Sequence, residues 1–145
     1  MAVYYYGIAD SQTVKRIEIE QIVYNDLQAG EALSRYDVVF MDGDYVKIAK
    51  ADGDTLKNPA MGISEKQSAV SGGTVDVLIR GVVSNASWTF ASADVVYLSA
   101  FSGGLMTGTA PKLSGDWVQR MGISITPEGV AFNPETTPIQ IAASN

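Results

Sequence analysis

From Tyr36 onward, apolar and polar positions alternate in short runs, and each run is cut off by Gly, Asp, Asn or Pro. "DVVFM" is an apolar run closed by "DGD", a combination that predicts a strand and a hairpin turn. "YVKIAKA" alternates Tyr45, Lys47 and Ala49 against Val46, Ile48 and Lys50. That period of two belongs to a strand with one face buried. "TVDVLIRGVV" alternates likewise until Gly81, where a glycine inside a strand pattern predicts a bulge or bend. "DVVYLSA", "WVQRMGIS" and "GVAFNP" supply further strands, the last pair turned by Thr126-Pro127-Glu128-Gly129. No helical period persists after residue 35. Roughly eight to ten short strands, with turn signals about every 8–12 residues, are the pattern of an all-β sandwich or barrel.

Upstream the pattern is less regular. Residues 14–24, "VKRIEIEQIVY", alternate Ile17 and Ile19 with Glu18 and Glu20, and the β-branched content favours a strand. A helix remains the alternative, with Val14, Ile17, Ile22 and Val23 on one side. "NDLQAGEALSRY" reads as a turn or a single helical turn, with Gly30 as breaker. Residues 1–13 read as an extended N-terminal arm, and the tail "ETTPIQIAASN" as a surface strap or a loose end. The expected division is arm and lead-in strand 1–28, β-barrel domain 29–134, and C-terminal tail 135–145.

One sentence is written twice. Asp37-Val38-Val39-Phe40 leads to Met61-Gly62-Ile63-Ser64, and Asp94-Val95-Val96-Tyr97 leads to Met121-Gly122-Ile123-Ser124. The copies begin 57 residues apart and end 60 apart. The expectation is a small closed or nearly closed barrel or sandwich with a pseudo-twofold repeat, in which corresponding strands close the sheet on itself. Closure removes exposed strand edges. The glycines then stand where the strand bends or another backbone approaches.

Composition narrows the functional classes. The 145 residues suit one domain, and 18% charged residues is somewhat low for a soluble protein. A net charge of −6, with scattered Lys and Arg, argues against nucleic-acid binding. With no cysteine and no histidine, thiol chemistry, disulfides and the usual general base are absent. No apolar run approaches about 18 residues, and the N-terminus has no signal-peptide pattern, so neither a membrane span nor export is expected.

The carboxylates of Asp42, Asp44, Asp52, Asp54 and Asp116 sit in turn signals, which explains them without glycosidase chemistry. Neither "DGDYVK" nor "DGDTLK" completes a calcium loop. No catalytic, metal or cofactor site is therefore expected. Asn85-Ala86-Ser87 matches a glycosylation sequon, which carries little weight without an export signal. Trp88 and Trp117 are expected in the core or in subunit contacts. Tyr4, Tyr5 and Tyr6 cluster on the arm, and tyrosines on an arm suit docking on another protein.

Several segments together resemble a module of tailed-bacteriophage structural proteins, found in capsid decoration (cement or head-fibre) proteins and in some tail-fibre proteins. They are "AGEALSRYDVVFMDGDYVKIAKADGDTLKNPAMGIS", "GGTVDVLIRGVV", "DVVYLSAFSGGLMTGTAP" and "WVQRMGISITPEGVAFNP". The resemblance spans about residues 29–134 and implies a small β-barrel that attaches to a virion, with no catalytic residues to carry over. It implies the major capsid protein as partner, a homo-oligomer with a trimer favoured, and a place on the capsid surface after synthesis in the bacterial cytoplasm. The arm residues Val3, Tyr4, Tyr5, Tyr6 and Ile8 are the expected partner-binding residues, adding a strand to a capsid subunit. The alternative is a tail-fibre or baseplate component for host attachment, disfavoured because the chain carries no repetitive shaft.

Overall fold

The computed structural model describes residues 21–64 and 69–142. The arm residues Val3, Tyr4, Tyr5, Tyr6 and Ile8 lie outside them. Eleven strands run in chain order: β1 (Ile22–Ala29), β2 (Val38–Asp42), β3 (Tyr45–Ile48), β4 (Gly62–Ile63), β5 (Thr74–Ser84), β6 (Val95–Leu98), β7 (Met106–Thr107), β8 (Trp117–Val118), β9 (Arg120–Thr126), β10 (Gly129–Phe132) and β11 (Ile139–Gln140). The protein is all-β; the only helical turn among the described residues is a 3-10 turn at Thr55–Lys57.

Nine strands form one sheet in the order β1-β3-β2-β4-β5-β10-β9-β6-β7. β1 also pairs with β5, so β1, β3, β2, β4 and β5 close into a ring. The lumen of that five-stranded barrel holds Val39, Val46, Val75 and Val77, all fully buried, with Ala29 and Leu33 in the same cluster. A second core lies on the other face of β2, where Val38 and Phe40 meet Ile63, Leu98, Met121, Val130 and Phe132. β2 is thus buried on both faces, which is why "VVF" has no polar position. Each such Val or Phe contributes roughly 1.5–3 kcal/mol relative to leaving it in water.

Three expectations change here. Residues 25–29 are not a turn or a helical turn; they belong to β1, which crosses the boundary expected at 28/29. The polar pair Asn25-Asp26 marks a bulge: the β1–β5 register shifts between Tyr24 and Leu27, and Asp26 sits at φ 58. Its N–H is satisfied by Asp76 Oδ1 at 2.9 Å. Strand count also exceeds eight to ten, because β7 and β11 are two-residue strands in stretches read as irregular, and the single run "WVQRMGIS" divides into β8 and β9. Closure comes from β1 within the first half, rather than from pairing between corresponding strands of the two copies.

The repeat itself is real in space. β2 pairs with β4 through Val38↔Ile63 and Val39↔Gly62, and β6 pairs with β9 through Val95↔Ile123 and Val96↔Gly122. The sheet order is therefore near-palindromic about the β5–β10 pair. Each copy closes with the same clasp. Ser64 N–H donates to Asp37 O at 2.9 Å, and Ser124 N–H donates to Asp94 O at 2.9 Å. Ser64 Oγ donates to Ser34 O, and Ser124 Oγ donates to Ala91 O, three residues before each Asp. Tyr36 and Ala93, just before each Asp, both adopt positive φ, at 73 and 65. Gly122 stands where a backbone approaches, since a Cβ there would lie 2.1 Å from Ala131 O. Gly81, at φ 149, is the predicted bend: Leu78 and Val83 face the same core from odd and even positions, so the alternation slips between them.

Residues 135–142 form a strap. β11 pairs with β8, and Gly115 N–H donates to Ile141 O at 3.0 Å.

Candidate docking surfaces

Two of the turn carboxylates, Asp52 and Asp54, do turn chemistry. Asp54 caps the 3-10 turn by accepting from Leu56 N–H at 2.9 Å, and Asp52 accepts from Asp54 N–H at 3.1 Å. Asp42, Asp52 and Asp54 also pair with Lys47, Lys50 and Lys57. The Asp42 partner raises the Lys47 pKa through its hydrogen bond and its charge. Asp37 is pushed above the usual carboxylate range, mainly by desolvation; the hydrogen bond from Ser34 N–H opposes this and Glu31 adds to it. Among the described residues no group of three or more acidic side chains gathers where a metal ion would be held. None of their helices is long and apolar enough to cross a membrane.

Trp88 and Trp117 pack against the second core, as expected, although Trp88 lies in a loop rather than a strand. Trp88 meets Tyr36 edge-on at 5.7 Å and Phe90 at 5.7 Å. Both tryptophans are half-buried.

What the turns do expose is apolar. Phe101 is 93% exposed and Leu113 is 72% exposed. They border a groove of about 530 Å³ that also takes in Ala100, Thr109 and Pro111. Local hydrogen bonds hold this edge in shape. Ser99 Oγ accepts from Phe101 N–H at 3.0 Å and from Ser102 N–H at 3.1 Å, which aims the Phe101 ring outward. Gly104, at φ 79, lets its N–H reach Ala49 O at 2.8 Å and anchors the loop to the second core. Asp116 N–H donates to Leu113 O at 3.0 Å. A turn held in this shape presents its exposed ring from a preorganised backbone, so little loop entropy is left to lose on binding. Lys112, Asp52 and Asp116 give the groove a charged rim.

A second groove, of about 420 Å³, crosses the outer face of β9 and β10 between Arg80 and Arg120. Sequence reading gave none of Phe101, Leu113, Arg80 or Arg120 a place in a site. Phe101 carried a signal, since it is a large apolar residue inside the turn run Ser99–Gly104. The arginines carried none, because only the sheet brings them to one groove.

Compared with family models, with curated proteins and with solved structures, the chain gives no match.

Proposed function

We propose that this chain is a virion structural protein that binds the outer surface of a phage capsid lattice and stabilises it. The observation that carries this reading is the preorganised apolar edge at Phe101 and Leu113. Large exposed apolar side chains with a polar rim mark protein-docking sites. The resemblance of residues 29–134 to phage decoration proteins supplies the kind of partner, the major capsid protein. In this reading Val3, Tyr4, Tyr5, Tyr6 and Ile8 add a strand to a capsid subunit, and the protein acts as a homo-oligomer, with a trimer favoured. It carries out no catalysis and stabilises shells by mass action, as a ligand that binds only the assembled lattice.

The test uses shells of the encoding phage assembled without this protein. Purified protein is mixed with them, the shells are pelleted and the pellet is imaged by cryo-electron microscopy. Regular density on the shell and greater resistance to heat are expected. Bare shells with the protein left in the supernatant would overturn the reading and point to the tail. Phe101→Ser with Leu113→Ser should weaken binding about 100-fold or more, as loss of a central apolar anchor does. Deleting residues 1–10 should weaken it as well.

A further inference from the structure

The edge that carries Phe101 has two complementary parts. One is the groove of about 530 Å³, with Ala100, Ala110 and Pro111 along its apolar wall. The other is a pair of apolar projections on its border, Phe101 and Leu113. Phe101 borders the groove without filling it, since it is 93% exposed. The backbone beneath the ring is held by the two N–H groups that Ser99 Oγ gathers. Knob and groove therefore share one patch of the surface.

That placement decides the kind of association. A knob that fits a groove elsewhere on the molecule adds copies without end, whereas a knob and groove on one patch close after two copies. The rim agrees. Lys112 lines the same groove as Asp52 and Asp116. A rim of one sign would repel its own copy, and a rim of both signs does not.

We propose that two copies of this chain pair edge to edge about a two-fold axis, each Phe101 ring entering the groove of the other copy and each Lys112 facing the other's carboxylate rim. Grooves of about 300–1,000 Å³ enclose small organic groups, so this one has room for a phenyl ring. Two such rings would bury about 300–500 Å² between them. That is small for a protein interface, so the pair forms and parts readily as concentration changes. Pairing would cover, in the free protein, the same edge that the capsid reading gives to the shell. The inference does not rest on that reading.

Sedimentation velocity across a range of concentrations reads the pairing as a doubling of the mass present at the lowest concentration. Phe101→Ser removes the knob and leaves the groove. Phe101 is exposed, so this change disturbs no core. Ala110→Trp fills the groove and leaves the knob. Each variant alone should pair at least about 10-fold more weakly than the unaltered chain, as loss of an apolar anchor does. Mixed, the two regain one of the two knob-in-groove contacts, and should pair about 10-fold more tightly than either alone. No doubling at any concentration, pairing that survives Phe101→Ser, or a mixture no tighter than its components would each overturn the assignment. Uptake by shells is measured separately, so failure here leaves the capsid reading standing.

Discussion

The two copies of the repeat share a clasp and differ in what surrounds it. In the first copy, β2 leads into a four-residue partner, β3, which pairs with β1, and β1 returns to β5 to close a barrel. In the second, β6 leads into β7, only two residues long, which ends the sheet. The first excursion is consumed in closing a lumen of valines. The second is left to make turns, and those turns carry Phe101 and Leu113 into solvent. One sentence of sequence thus serves two ends: closed, it is scaffold; open, it presents a surface. A two-residue edge strand also offers little ladder to a stray chain, which is how an open end avoids aggregation.

The glycines of the two clasps should separate the copies most sharply. At Gly122 a Cβ would lie 2.1 Å from Ala131 O, and φ is 154. Backbone cannot step aside as a side chain can, so Gly122→Ala should cost about 4 kcal/mol or more. At Gly62 a Cβ would lie 2.4 Å from Val77 Cγ1 and 2.6 Å from Leu78 O, without the unfavourable φ. Gly62→Ala should cost about 2–3 kcal/mol, still large because Val77 is fully buried. Urea denaturation of both variants measures the gap. A smaller loss at Gly122 than at Gly62 would mean that β9 and β10 can shift where the closed barrel cannot.

Much of this was legible beforehand, and the limits have physical causes. Period-two alternation located β3 and β5, and short apolar segments between turn signals located β2, β6, β9 and β10, because each of them packs on a core and its side chains record that. The repeat was legible because both copies open with Asp-Val-Val-aromatic and close with Met-Gly-Ile-Ser, and the clasp uses that closing Gly and Ser. Only the start of β1 was, since Ile22–Tyr24 fall within the strand read over residues 14–24; its continuation was missed because the bulge uses Asn25-Asp26, the same residues a turn would use. Nor was the mode of closure, since a parallel β1–β3 pairing links strands that share no local signal. The docking edge escaped for a similar reason. Exposure of Phe101 depends on Ser99 Oγ gathering two N–H groups, and Ser in a Gly-rich stretch looks like any other turn residue.

Gln119 is where the second copy grips the first, and it ranks next in expected effect. It is fully buried. Its Oε1 accepts from Ala60 N–H at 2.8 Å, while Nε2 donates to Ala60 O at 2.9 Å and to Glu135 O at 2.6 Å. The equivalent position in the first copy is Pro59, which offers no such side chain. The tie therefore runs one way, from the open copy to the loop before β4. Gln119→Leu keeps the volume and strands two buried backbone groups of Ala60 and the part-buried Glu135 carbonyl, so a loss of about 3 kcal/mol is expected. Because Glu135 O begins the strap, faster amide exchange should appear at residues 139–141 as well as at Ala60. Exchange changed at Ala60 alone would show that the strap is held by β8.

The clasp serines should give the smallest and most equal effects. Ser64 and Ser124 are both fully buried, and each hydroxyl reaches back to a carbonyl three residues before its Asp. Ser64→Ala and Ser124→Ala each remove one such donor and leave one part-buried carbonyl short of that partner, at a cost of about 1 kcal/mol. Equality is the informative part. If the clasp is a self-contained unit, the barrel around the first copy adds nothing to its hydrogen bond, and the two losses agree within about 0.5 kcal/mol. The double variant then loses their sum. A Ser64 loss well above the Ser124 loss would show that closure tightens the clasp it encloses. The reverse would show that the open copy depends more on its clasp, since Tyr36 and Ala93 hold the same left-handed φ beside their aspartates.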